Sequence, residues 1–282
     1  MLTGRILLVA FEGWNDATEA ASAALRAIAE QFNALTLEAV DPEDYYDFQF
    51  SRPMVELDEF GNRVLTWPGT ELLQPSGDAI KNFPQAQDLF LLIGTEPSRR
   101  WLSFAGEILE MVQDRDIDAV IMLGAMLADV PHTRPMPIFK SSQNAELQQL
   151  FGLEPSRYEG PVGILTVLAQ AFEGEGIPVL SLWGSVPHYV HNTQNPKAAL
   201  GFLSELSSLT KFDFDTASLA EAAFEWERSI DELSESDEEM AGYIEQLEKN
   251  RDVLESELAS GDALARELEK YLKERPESEG KG

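Results

Sequence analysis

The 282-residue sequence contains no cysteine. That excludes a disulfide framework, a thiolate zinc site and a thiol nucleophile, and it fits a cytoplasmic protein. Positive charge is also scarce: 21 Lys and Arg stand against 50 Asp and Glu, a net charge of −29. Phosphate backbones and anionic membrane surfaces would both repel such a chain, so neither nucleic acid nor membrane is expected as a partner. Solubility is the simplest role for the excess. Long apolar runs are missing too. The longest, Ala119 to Ala128, lies between Asp118 and Asp129, whereas a membrane span needs about 20 residues. Ile6 to Phe11 is too short, and too soon followed by Glu12, for a signal peptide. Several catalytic signatures are absent as well: a Walker A loop, G-x-G-x-x-G, G-x-S-x-G and H-E-x-x-H. Their absence argues against nucleotide hydrolysis and metalloprotease chemistry, but leaves open sites scattered over several loops.

What is present reads as a globular α/β chain, 44% hydrophobic and 25% charged. Arg5–Ala10, Leu35–Val40, Leu89–Ile93, Ala119–Leu123 and Ile177–Trp183 have strand length. Leu89–Ile93 and Ala119–Leu123 barely alternate, which predicts burial on both faces. Val55–Leu57 and Arg63–Trp67 flank Asp58-Glu59-Phe60-Gly61-Asn62, a hairpin signal. Helices are predicted at about 17–32, capped by Asn15 or Asp16, and at 101–114, 145–151, 162–174 and 196–209. A short strand is placed at 138–140. Strands alternating with helices imply a largely parallel sheet covered on both faces, with ligands at the carboxyl ends of strands.

Composition shifts near residue 211. Residues 211–282 carry 9 Lys and Arg against 22 Asp and Glu, so negative charge is about twice as dense there as in the rest. A core over 1–210, an acidic helical extension over 211–275 and a disordered end over 276–282 are expected. Ser218-x-x-Glu221 and Ser236-x-x-Glu239 match capping boxes. Ile230, Leu233, Met240, Ile244, Leu247, Leu254, Leu258, Leu268 and Leu272 form a ladder interrupted by Asp237, Arg251, Gly261 and Ala265. With Ser260-Gly261-Asp262 as a break, that predicts a helical hairpin docked on its own core or on another subunit.

Some residue groups could carry chemistry. Glu12 and Asp16 flank the first strand-to-helix turn as an acid/base pair, although capping alone accounts for Asp16. Arg134 could grip a phosphate or carboxylate with both arms of its guanidinium. The preferred alternative pairs it with Asp129 or loop carbonyls to fix the turn 129–135. His188 and His191 stand three apart, but a metal needs three or more converging ligands. A hydrogen-bonded loop histidine is the better reading, and no metal or cofactor is expected. Ser141 and Ser142 lack a neighbouring base.

Phe11-Glu12-Gly13-Trp14-Asn15-Asp16-Ala17 resembles the opening signature of the proteasome assembly chaperone 2 family. So do Gly94-Thr-Glu96-Pro97 with Trp101 and Phe104, and Pro131-His132-Thr133-Arg134-Pro135. Tyr158-Glu-Gly160-Pro161-Val-Gly163, Ser181-Leu-Trp183 running into Val186-Pro187-His188-Tyr189-Val190, and Asn195-Pro196-Lys197-Ala198 complete the series. The acidic extension is similar to that of actinobacterial-type members. The resemblance implies a three-layer α/β/α sandwich of phosphorylase/hydrolase-like type, with self-association through the core, a trimer being one option. The family's eukaryotic namesake helps assemble proteasome α-rings. The loops 11–16, 94–97 and 129–135 are then expected to share a crevice, lined by Glu12, Trp14, Asn15, Asp16, Glu96, Asp129, His132, Thr133, Arg134 and His188. Two readings follow: a non-enzymatic protein-binding or assembly protein of undefined partner, and a phosphorylase- or hydrolase-like enzyme acting in that crevice. A deep polar pocket of converging ionisable groups would favour the enzyme; a flat apolar patch would favour the binder.

Overall fold

The computed structural model describes residues 1–58, 60–190 and 193–253. In chain order the first half holds β1 (Ile6–Glu12), α1 (Ala20–Gln31), β2 (Leu35–Ala39), α2 (Pro42–Tyr45), β3 (Met54–Leu57), β4 (Arg63–Thr66), β5 (Thr70–Gln74), α3 (Gly77–Asn82) and β6 (Leu89–Thr95). Then follow α4 (Trp101–Gln113), β7 (Ala119–Ala128), β8 (Ile138–Ser141), α5 (Ala145–Phe151), α6 (Ile164–Gly174), β9 (Val179–Pro187), α7 (Pro196–Leu209) and α8 (Ala217–Glu235). A last helix, α9, covers 238–253 within the described residues.

Seven strands form one sheet in the order β2-β5-β6-β1-β7-β9-β8. The four central strands, β6, β1, β7 and β9, are parallel. The flanks are antiparallel, which corrects the expectation of a largely parallel sheet to a mixed one. Parallel pairing is confined to the strands with apolar runs, because those are covered on both sides. In β1 the pleat sends Ile6, Leu8 and Ala10 to one layer and Leu7, Val9 and Phe11 to the other. The first layer holds α1, α7 and α8; the second holds α4 and α6. Three layers result, α on β on α.

Several boundaries differ from the sequence reading. The first helix starts at Ala20, after a 3-10 turn over Ala17–Glu19 in which Thr18 and Glu19 adopt left-handed φ of 59° and 55°. Strands β7 and β9 run longer than expected, since Gly124 to Ala128 pair with Trp183 to Pro187. Strand β5 was not foreseen.

The extension lies against the rest of the chain. Phe212, Phe214, Trp226 and Ile230 are buried in the same layer as α1 and α7, and Ile244 and Leu247 of α9 are buried too. Neither expected capping box forms. Ser218 falls inside α8, whose first N–H, Ala217 N, donates to Asp215 Oδ1 at 2.9 Å. Asp237, read above as an interruption of the ladder, accepts from Glu239 N at 3.0 Å and Met240 N at 3.2 Å and so caps α9. The Ser260-Gly261-Asp262 break, Leu254, Leu258, Leu268, Leu272, the end at 276–282 and His191 lie outside the described residues. No described helix is long and apolar enough to cross a membrane.

Candidate functional site

Helix α1, which follows β1, and helix α4, which follows β6, pack on opposite faces of the sheet. The segments that leave the adjacent ends of β1 and β6 therefore turn to opposite sides, and such a switch point opens the crevice where doubly wound sheets take ligands. Here the opening is closed by a polar knot. Glu96 N donates to Glu12 O at 2.9 Å. One oxygen of the Glu96 carboxylate, Oε1, accepts from Asn15 Nδ2 at 2.7 Å and from Ile164 N, the first residue of α6, at 2.8 Å. Ala125 N of β7 donates to Asn15 O at 2.8 Å. Two glycines permit this closeness. Gly13 takes φ +111° beside Glu96, and a Cβ on Gly163 would stand 2.1 Å from Asn15 Oδ1.

The carboxylates flanking the knot are engaged separately. Glu12 pairs with Arg26 and accepts from Thr95 Oγ1 at 3.4 Å. Asp16 accepts from Ala21 N at 2.7 Å and Ser22 N at 2.9 Å, holding the start of α1 as the sequence suggested. Burial pushes its carboxyl above the usual range, against the bonds from Ser22 and Ala21. Trp14 stands out into solvent.

A groove of about 820 Å³ runs beside Glu12 and Arg26, between β5, β6, α1 and the β3–β4 hairpin. The hairpin forms its own two-stranded sheet. Asp58 Oδ1 accepts from Phe60 N and Asn62 N, and Gly61 takes φ +80°, as the turn signal foretold. Register places Met54 opposite Thr66 and Val55 opposite Leu65. Directly opposed residues share a face. Met54, Glu56 and Thr66 line the groove, so Val55, Leu57 and Leu65 point away from it. They are 48%, 70% and 47% exposed, and Phe60 at the tip is 80% exposed.

The loop after β7 forms a second cluster, tied to the extension. His132 is fully buried. Tyr189 Oη accepts from His132 N at 2.7 Å and lies 2.8 Å from His132 Nδ1. Nε2 lies 3.0 Å from Asp231 Oδ1 of α8, and since a carboxylate only accepts, a neutral ring carries its proton on Nε2 and takes the Tyr189 hydroxyl proton at Nδ1. Burial pulls the imidazole below its ordinary value, with Asp231 opposing, which favours the neutral ring. Arg134 does not pair with Asp129, as expected above. It grips Asp252 of α9 through Nε at 2.9 Å and Nη2 at 3.0 Å, and reaches Glu248 Oε1 at 3.3 Å. Thr133 donates to Glu248, and Lys197 bonds His132 O and Glu227. Asp129 Oδ1 accepts from Tyr243 Oη at 3.2 Å and lies 3.3 Å from His188 Nδ1.

The crevice residues thus fall into two groups along one sheet edge. Glu12, Asn15 and Glu96 interlock at the ends of β1 and β6, and Asp129, His132, Thr133, Arg134 and His188 meet the extension beyond β7. Sequence reasoning missed Arg26, Asp231, Glu248 and Asp252 as their partners, since each pairing is long-range. Among the described residues no group of three or more His, Asp or Glu is placed to hold a metal. Ser142 Oγ is occupied by Val179 O at 2.6 Å.

The sequence model of the PAC2 family matches residues 10–234. Among solved structures, the chain is similar to a PAC2 family protein of Streptomyces avermitilis, with 40% identity and a TM-score of 0.74 over 85% of this chain and 99% of that one. It is similar to a proteasome-assembly chaperone homologue of Mycobacterium tuberculosis at 38% identity, with the same TM-score and coverage. Its fold also matches PbaA of Pyrococcus furiosus, an archaeal homologue of proteasome-assembly chaperone, with 16% identity, a TM-score of 0.58 and coverage of 88% and 95%. No curated protein matches the chain.

Proposed function

The chain belongs to the PAC2 family, and from that premise we propose that it is an assembly-chaperone-like protein that holds a protein partner and performs no reaction of its own. The observation that carries this reading is the outward face of the β3–β4 hairpin. Val55, Leu57 and Leu65, with Phe60 at the tip, form an uncovered apolar strip beside Arg63, on a chain of net charge −29. A two-stranded hairpin is marginal in water unless something packs on it. Contiguous exposed apolar surface of this kind marks interaction sites. The ionisable groups at the strand ends point the same way, because Glu96, Glu12, Asp16 and Arg134 are each spent on groups of this chain. Self-association through the core is part of the proposal.

The names of the relatives make proteasome α subunits the first partner to test. Purified chain and α subunits are mixed and followed by sedimentation velocity, with Leu57→Lys/Leu65→Lys as the control. The reading expects a complex that the double variant weakens at least tenfold. Equal binding by the variant would contradict the hairpin's role. One observation favours a small-molecule enzyme as the second reading: the groove of about 820 Å³ with Glu12 and Arg26 in its wall. Turnover of a nucleoside or ester that Glu12→Gln abolishes would establish that reading instead.

A further inference from the structure

Cations are scarce in this chain, yet Arg134 and Lys197 stand at one loop face with the imidazoles of His132 and His188, at the carboxyl ends of β7 and β9. The groups they meet come in two pairs with the same spacing. Glu248 and Asp252 are four residues apart on α9, and Glu227 and Asp231 are four apart on α8. Residues four apart lie on one face of a helix. The Arg134 fork takes the Asp252 carboxylate with two parallel N–H bonds, a geometry selective for a planar carboxylate. Tyr243, on the same helix as Glu248, donates to Asp129 and packs edge-on against His188 and Tyr189 at ring distances of 5.6 and 6.2 Å.

The family match ends at residue 234. Asp129 to Arg134, His188, Tyr189 and Lys197 lie within the matched segment, whereas Tyr243, Glu248 and Asp252 lie beyond it. The face thus lies inside the family match and its cover outside it. Arg134 is about a third exposed and Asp252 about half, and ion pairs so open to solvent are individually weak. We infer that the loop face of residues 129–134 with Tyr189 and Lys197 is a docking site for an acidic helix of a partner protein, recognised by carboxylates four residues apart. Helix α9 occupies that site in cis and competes for it. This surface is separate from the hairpin and does not depend on it.

The test uses the full chain and a fluorescein-labelled peptide of residues 237–253 as the probe. In Glu248→Lys/Asp252→Lys the cis helix keeps its buried Ile244 and Leu247 but loses its ion pairs and meets Arg134 with like charge, and fluorescence anisotropy should show the peptide binding at least tenfold tighter than to the wild-type chain. Adding Arg134→Ala should abolish that gain, and a peptide carrying both lysines should bind the single Arg134→Glu chain, whose own α9 keeps its carboxylates, in its place. Hydrogen exchange reports whether α9 is released and whether β1 and β7 stay protected. Should the lysine variant unfold, Glu248→Gln/Asp252→Asn serves in its place. Release of α9 without tighter peptide binding overturns the proposal, and so does an α9 that stays protected in both variants.

Discussion

At the ends of β1 and β6, Glu96 accepts two N–H groups, Asn15 bridges to β7, and Glu12 is held by Arg26 and Thr95. In the hairpin that follows α2, six large apolar side chains meet water, four of them on the outward face and the tip. The polar residues that catch the eye in the sequence are used to close the fold. The apolar residues that pass for ordinary strand pattern are the ones left available. At these strand ends, therefore, the charged residues are spent on architecture, and the partner surface proposed above is carried by an unremarkable hairpin.

The comparison can be broken most severely at the knot. Glu96→Ala should cost about 2–5 kcal/mol, because two partly buried N–H groups lose a charged acceptor; urea unfolding measures it. A loss below about 1 kcal/mol would mean the knot does not hold the strand ends. Gly163→Ala should cost about 1–3 kcal/mol, since the new methyl group collides with Asn15 and forces a shift of packed neighbours. Gly176→Ala is not an equivalent control, because a left-handed φ strains it; Gly174→Ala, with open space around its Cα, is the proper one.

The second cluster gives a pH-dependent effect. Burial lowers the His132 pKa in the fold, so as pH falls through about 6.5 the unfolded chain takes up a proton that the folded chain refuses. The stability linked to His132 is complete above that pH and declines below it, by at most about 1.4 kcal/mol per pH unit. His132→Gln should flatten that slope in unfolding curves recorded between pH 7 and 5. Arg134→Ala comes next, at about 1 kcal/mol. The 3–5 kcal/mol cost of orphaning a buried charge does not apply, because its carboxylate partners reach water. The smallest expected effect is in the hairpin: Leu57→Lys/Leu65→Lys should change stability by no more than about 0.5 kcal/mol per site, as exposed substitutions do.

The sheet was legible where it is buried on both faces. Leu89–Ile93 and Ala119–Leu123 carry unbroken apolar runs of strand length, the pattern of strands buried on both faces. Strand β5, Thr70–Gln74, mixes polar and apolar residues next to Pro68 and Gly69, and its pairing with β2 and β6 makes it a strand. The hairpin turn was readable because Asp58, Gly61 and Asn62 act within five residues of one another. Its exposure was not, since no local pattern says that a covering layer is absent. Arg134 was singled out as a gripping residue, yet Asp252 lies 118 positions away, and no spacing rule reaches that far. Asp16 as a helix cap was readable for the opposite reason: its partners are five and six residues on.

Site-specific photo-crosslinking in the native cell addresses the outward face of the hairpin directly. A photoreactive amino acid is placed at Leu57, at Leu65, and at the groove-facing position Glu56 as control. The account predicts one discrete protein adduct shared by Leu57 and Leu65 and weak or absent at Glu56. An adduct confined to Glu56, or none at any of the three, would contradict it.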